Sequence, residues 1–151
     1  MPSDSVSAEA FSWRVRVYYE DTDAGGVVFY ANYLKFFERA RTEWLRYAGI
    51  EQHGLTQSDS IMFVVKSTAV DYIAPAKLDD ELKLTIDVQR FGKASMEFVQ
   101  QAWRIGITDD TLLAVGSIRV ACVDCTTFKP CAIPIAVHDR LRKIMFVGAT
   151  D

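Results

Sequence analysis

The stretch Tyr18-Tyr-Glu-Asp-Thr-Asp-Ala-Gly-Gly-Val-Val-Phe-Tyr-Ala-Asn-Tyr33, running on into Leu34-Lys-Phe-Phe-Glu-Arg-Ala-Arg-Thr-Glu-Trp-Leu-Arg46, decides how the rest of the chain is read. On its upstream side Trp13, Val15, Val17 and Tyr19 alternate with Arg14, Arg16, Tyr18 and Glu20, the period-2 pattern of a half-buried strand. Asp21, Asp23, Gly25 and Gly26 then break that strand in a turn. Downstream, Leu34, Phe37, Arg41, Trp44 and Ala48 recur at i+3 or i+4, and Phe36, Ala40, Leu45 and Tyr47 widen the stripe. The pattern predicts a helix that begins between Tyr30 and Asn32 and is capped by Gly49. So broad an apolar stripe implies a helix gripped by a sheet. A carboxylate is thereby set just ahead of a helix N-terminus, where backbone N–H groups lack intrahelical partners and the dipole is positive. Such a pairing can polarise a carbonyl group and attack it.

The remaining segments read as the sheet that holds this helix. Glu51 to Asp59 is polar and connective. Met62, Val64, Thr68, Val70 and Tyr72 mark an extended run closed by Pro75. Leu82, Leu84, Ile86 and Val88 alternate with polar residues in a third strand, and Gly92 punctuates the connection to a fourth, where Met96, Phe98, Gln100 and Ala102 share one side. Thr108–Thr111 is a hairpin turn, and Leu112–Val123 is a fifth strand rich in β-branched residues. After Pro130 and Pro134, Val137, Leu141, Ile144 and Met145 fit a short C-terminal helix. Short connections favour antiparallel pairing. The expectation is an α+β domain, residues 12–147, with a curved five-stranded antiparallel sheet around one long helix, preceded by a disordered tail over residues 1–11.

Bulk composition narrows the function classes. The chain has 151 residues, half of them apolar and a quarter charged, with a net charge of −3, which suits one globular domain and no nucleic-acid partner. No run of 18 apolar residues is present, so no transmembrane segment is expected, and the polar Met1–Ala10 segment suggests a cytoplasmic protein. Cys122, Cys125 and Cys131 read as reduced thiols in and just after the last strand rather than as a disulfide framework. Zinc would need a fourth ligand, for which His138 is the only nearby residue.

Glu20, Asp21 and Asp23 could hold a hard cation, but a calcium loop starting at Asp21 puts Asn32 where a bidentate Glu is expected, so no metal site is assigned. Gly25-Gly26 lacks the spacing of a phosphate-binding loop. Asp21 is read as shaping the turn. Asp23 is followed by the compact Ala24-Gly25-Gly26 and by the apolar Val27, Val28 and Phe29, which leaves room for a substrate against the backbone. Glu38–Arg41 and Arg39–Glu43 read as pairs on a solvated helix face. His53 and His138 read as surface residues.

The Tyr18–Tyr33 block, the Glu38-Arg-Ala-Arg-Thr-Glu43 that follows, the segment Tyr72-Ile-Ala-Pro-Ala-Lys-Leu-Asp-Asp80 and Cys122-Val-Asp together resemble hotdog-fold acyl-CoA thioesterases of the 4-hydroxybenzoyl-CoA thioesterase type. They are most similar to the bacterial branch associated with the Tol-Pal envelope system. The resemblance runs from about Trp13 to Met145. It implies hydrolysis of an acyl-CoA thioester with Asp23 as nucleophile or general base and the Tyr30 N–H as the group that meets the thioester carbonyl. Some members of that branch carry His where this chain has Tyr30. Gly25, Gly26, Val28 and Phe29 are read from the loop itself as lying against the acyl group, and the resemblance further implies that Gly92, Lys93 and Ser95, with Lys77 as a second cation, hold coenzyme A phosphates. No cofactor is expected beyond the coenzyme A of the substrate. Acyl carrier protein is the alternative carrier, and a homodimer or dimer of dimers is the expected assembly. Two other readings use the same fold: a non-catalytic acyl-CoA or carrier-protein binding module linked to envelope machinery, and a dehydratase, for which neither His53 nor His138 is placed.

Overall fold

A computed structural model describes residues 11–145. The elements are β1 (Ser12–Arg16), a 3-10 turn (Tyr19–Asp21), α1 (Asn32–Tyr47), α2 (Gln52–Ser58), β2 (Ile61–Tyr72), β3 (Glu81–Thr85), β4 (Asp87–Phe91), β5 (Ser95–Arg104), β6 (Thr111–Asp124) and α3 (Ile135–Met145). All strand pairs are antiparallel, in the order β1-β3-β5-β6-β2, with β4 continuing beside β5. Among the described residues no helix is long and apolar enough to cross a membrane.

Among the described residues the sheet has six strands where five are expected. The expected third strand is broken at Ile86: Thr85 offers its hydroxyl, not its backbone, to the Gln101 N–H (3.0 Å), and Ile86 turns its own N–H to Phe11 O (3.3 Å). The first strand also stops earlier than the alternation suggests. Val17 still pairs with the Asp79–Asp80 segment, but Tyr19 enters the 3-10 turn and is exposed. The polar Glu51–Asp59 connection contains α2, held by one buried side chain, Leu55, too few for a periodic signal. Residues 1–10 of the expected tail, and 146 and 147 of the expected domain, lie outside the described residues. Phe11 belongs with the domain, its ring 5.6 Å from that of Tyr47.

In β5 the shared side expected for Met96, Phe98, Gln100 and Ala102 is the side buried under α1. From α1, Tyr33, Phe36, Phe37, Ala40, Trp44 and Leu45 fill the space above the sheet, whereas Leu34 and Tyr47 of the expected stripe are exposed. Full burial of Phe36 or Phe37 contributes roughly 2 kcal/mol each. Gly116 of β6 makes this approach feasible: a Cβ there would stand 2.9 Å from the Phe37 ring. The helix ends as expected at Gly49, whose φ of +82° lets Gly49 N–H reach Arg46 O and Ile50 N–H reach Leu45 O (both 2.9 Å). One helix pressed on one face of one sheet is a two-layer α+β domain.

Candidate active site

The site is built where the chain leaves β1 and enters α1. After the 3-10 turn, Asp21 is only 4% exposed, and each of its oxygens accepts one hydrogen bond: Oδ2 from the Tyr18 N–H (2.9 Å) and Oδ1 from the Asn32 side-chain amide (2.9 Å). Its backbone oxygen accepts the Phe29 N–H (3.0 Å). Asp21 thus ties the end of β1 to the first residue of α1, in keeping with its reading as the turn-shaping member of the acidic pair.

Asp23 is arranged differently. It is exposed, and its Oδ1 accepts the Gly25 N–H at 2.8 Å, while Oδ2 accepts no hydrogen bond among the described residues. The loop around it is closed by Asp23 N–H to Val27 O (2.9 Å) and Gly26 N–H to Asp23 O (3.0 Å). Gly26 has a φ of +82°, which a side chain would strain, and a Cβ on Gly25 would press to 3.3 Å from Asp23 Oδ1. Val27 pairs with Lys77, and Val28 N–H reaches Ala76 O (2.8 Å), so the loop is stapled to the segment after β2.

The first turn of α1 is tightened by i→i−3 bonds: Asn32 N–H to Phe29 O (2.8 Å), Tyr33 N–H to Tyr30 O (3.4 Å) and Leu34 N–H to Ala31 O (3.1 Å). This leaves the N–H groups of Tyr30 and Ala31 without an acceptor among the described residues, at the positive end of a 16-residue helix. A carboxylate with a free oxygen therefore shares a short loop with two unused N–H donors, a set able to attack an acyl carbonyl, or water beside it, while stabilising negative charge on its oxygen.

Around this centre the expected side chains separate. Val28 is buried in the core, so its side chain faces away from solvent, whereas Phe29 is exposed and lies 4.8 Å from the Tyr30 ring. Farther along α1, a cleft of about 160 Å³ opens between one flank of the helix (Glu38, Arg41, Thr42, Leu45) and the strand residues Phe63, Val65, Met96 and Phe98. Arg41 in this cleft bonds Gln100 Oε1 (2.9 Å), and burial pulls its guanidinium below its ordinary value, opposed by nearby Glu38. The expected Glu38–Arg41 and Arg39–Glu43 pairs are not formed. Glu38 accepts the Thr42 hydroxyl, Glu43 pairs with Arg46 (3.1 Å), and Arg39 lies over the Phe36 ring. Arg41 is drawn inward by Gln100, a tertiary partner the helix period cannot show.

Gly92, Lys93 and Ser95 form the β4–β5 turn, closed by Gly92 N–H to Ser95 O (2.9 Å), with Lys93 and Ser95 exposed. That turn lies at the opposite end of β5 from the Asp23 loop. Arg104, the last residue of β5, reaches Pro75 O beside the Ala76–Lys77 staple (3.1 Å). Ten residues of strand separate the two, a span of about 30 Å. Of the two expected lysines, Lys77 stands next to the Asp23 loop and Lys93 does not.

A family profile described as "Thioesterase-like superfamily" matches residues 17–141. The chain belongs to the thioesterase-like superfamily. It is similar to the acyl-CoA thioesterase YbgC of Haemophilus influenzae, 48% identical over 124 residues that make up 82% of this chain and 88% of that one. The acyl-CoA thioester hydrolase YbgC of Escherichia coli O6:H1 is 45% identical over 132 residues, 87% of this chain and 96% of that protein. Among solved structures, a mutant 4-hydroxybenzoyl-CoA thioesterase complexed with 4-hydroxybenzoyl-CoA aligns with a TM-score of 0.80 and 16% identity, over 88% of this chain and 99% of that one. That likeness shows the fold, which is the hotdog arrangement.

Within this thioesterase-like chain, three features escaped the sequence reading. Tyr72, at the end of β2, donates its hydroxyl to Tyr30 O (2.9 Å). His138 of α3 is half-buried rather than a surface residue: its ring stacks on Phe91 at 4.0 Å and its Nε2 lies 3.2 Å from Gly92 O, pinning the β4–β5 turn. Gln100 is fully buried and donates to Phe37 O (3.1 Å). Tyr72 stands 42 residues from its partner and His138 stands 46 from its own, so no local spacing could have exposed either contact. Cys122 is buried with its Sγ 3.7 Å from that of Cys131, and all three cysteines are free thiols. Burial, with the Cys131 thiol beside it, pushes the Cys122 pKa up to about 12.

Proposed function

We propose that this chain hydrolyses acyl-CoA thioesters to the free acid and coenzyme A. One observation carries the reading: the Asp23 carboxylate, with one oxygen free, sits on a stapled loop immediately before a helix start whose Tyr30 and Ala31 N–H groups are unused. In the reaction Asp23 either attacks the thioester carbonyl, giving a mixed anhydride that water then opens, or takes a proton from the attacking water. The Tyr30 N–H donates to the oxygen as it becomes negative. The coenzyme A thiolate leaves and is protonated, and water supplies one oxygen, to the free acid directly on the general-base route or to Asp23 where the anhydride opens at the Asp23 carboxyl carbon, so the route needs no metal or redox cofactor. Gly25 and Gly26 let the substrate lie against the loop, and Phe29 borders the acyl group.

The active unit in this proposal is a homodimer. One chain keeps the Asp23 loop and the Gly92–Lys93–Ser95 turn at opposite ends of its sheet, and a second chain aligned antiparallel brings its turn to the first chain's loop. β2, paired among the described residues only with β6 and exposed along much of its length, is the edge where such a partner would add. Pairing of dimers into a tetramer, a cytoplasmic location, a Tol-Pal association and acyl carrier protein as a second carrier belong to the same proposal. For the tetramer, the Tol-Pal association and the second carrier the support is the resemblance of the Tyr18–Tyr33 block.

Thiol release from a panel of acyl-CoA and acyl-carrier-protein thioesters tests the function. Asp23→Asn is expected to lose at least about 100-fold in turnover. Unchanged release in that variant removes Asp23 from the site, and no release by the wild type from any substrate favours a binding module. Single turnover in ¹⁸O-water tests the anhydride route, since label in Asp23 requires attack by its carboxylate and opening of the anhydride at the Asp23 carboxyl carbon.

A further inference from the structure

The end of β2 touches the start of α1 at one polar contact. Tyr72 donates its hydroxyl to Tyr30 O at 2.9 Å, and its ring stands edge-on to those of Tyr30 (6.2 Å) and Tyr33 (5.4 Å). The carbonyl it holds belongs to the Tyr30–Ala31 peptide, whose N–H is that of Ala31. The preceding peptide, Phe29–Tyr30, is loaded in the same way, because Phe29 O accepts the Asn32 N–H at 2.8 Å. Two consecutive peptides therefore have an occupied oxygen behind and an unused N–H in front. Hydrogen bonds in series polarise one another, so an occupied carbonyl makes the N–H of the same peptide a stronger donor. For the Phe29–Tyr30 peptide that support comes from the helix itself. For the Tyr30–Ala31 peptide the backbone supplies only Tyr33 N–H at 3.4 Å, a long bond, and the Tyr72 hydroxyl supplies the short one.

We propose that the oxyanion site has two donors, the Tyr30 and Ala31 N–H groups, and that Tyr72 is the positioning residue that orients and strengthens the second. This rests on the thioesterase reading of Asp23 and the α1 start. Burial, with Tyr30 nearby, raises the Tyr72 phenol above its ordinary value, which keeps the hydroxyl a neutral donor.

Tyr72→Phe removes one oxygen and leaves the ring. With the best-hydrolysed acyl-CoA of the panel, the variant is expected to lose about tenfold in kcat with KM unchanged, because the donor is weakened rather than deleted. The same acyl-CoA, ¹³C-labelled at its thioester carbonyl, is then bound to Asp23→Asn protein and followed by difference infrared spectroscopy. The bound carbonyl band is expected below its position in water, and adding Tyr72→Phe is expected to return it part of the way. An unchanged kcat overturns the proposal. So does a lower kcat with an unmoved band, which assigns Tyr72 a purely structural role. Should Asp23→Asn retain full turnover, the underlying site reading fails first. An inactive Asp23→Asn beside an unaltered Tyr72→Phe defeats only the two-donor site.

Discussion

The Asp21 carboxylate and the Asn32 carboxamide meet in a buried hydrogen bond of 2.9 Å, 11 residues apart in sequence and at the two ends of the Asp23 loop. Asn32 is 6% exposed, so neither partner has water to fall back on. Asp21→Ala strands both the Asn32 amide and the Tyr18 N–H, which is expected to lower unfolding free energy by about 2 kcal/mol. Turnover is expected to fall with it although Asp23 is intact, because the loop loses its tie to α1. Urea denaturation beside thiol release checks this, and an unchanged midpoint shows that the bond holds nothing in place.

The opposite-end placement of Asp23 and Lys93 leads to a complementation test. Heterodimers that pair an Asp23→Asn chain with a Lys93→Glu chain keep one site with both residues intact if each site draws on two chains. They are expected to show about half the wild-type activity at low acyl-CoA, well above either homodimer. A site contained within one chain leaves both sites of the heterodimer damaged and no recovery. Differently tagged chains, co-expressed and purified through both tags, give the preparation.

Cys122 sets an alkaline limit on stability. Its folded pKa, about 12, lies above the ordinary thiol value, so the folded state holds the proton more tightly than the unfolded state does. The resulting stabilisation is fully present below the unfolded pKa near 9 and is lost as pH rises toward 12. Denaturation midpoints from pH 8 to 11 are expected to fall less steeply for Cys122→Ala than for wild type, whatever the offset at pH 8. Equal slopes refute the assignment.

The period-2 and 3.6 patterns carried most of the architecture, because burial on one face is a local property of strands and helices. β5 shows Met96, Phe98, Gln100 and Ala102 on its inner side as the alternation requires, and the Gly49 cap falls where a left-handed residue is needed. The patterns failed where one long-range bond replaces a local rule. The Thr85 hydroxyl splits a strand in two, and Gln100 draws Arg41 off the solvated helix face.

The sequence by itself determined the helix, the sheet that grips it, and an acidic loop placed at the helix's positive end. It could also separate Asp21 from Asp23, since the glycines and apolar residues follow the second. Only the tertiary structure decided that Asp21 is consumed by Tyr18 and Asn32 while Asp23 keeps an oxygen free, that Tyr72 backs the helix start, and that Lys77 rather than Lys93 neighbours the loop. Those outcomes depend on which residues far apart in the chain share a hydrogen bond and at which end of a ten-residue strand each lies. Composition and spacing do not encode such distances. Packing of the helix against the sheet does.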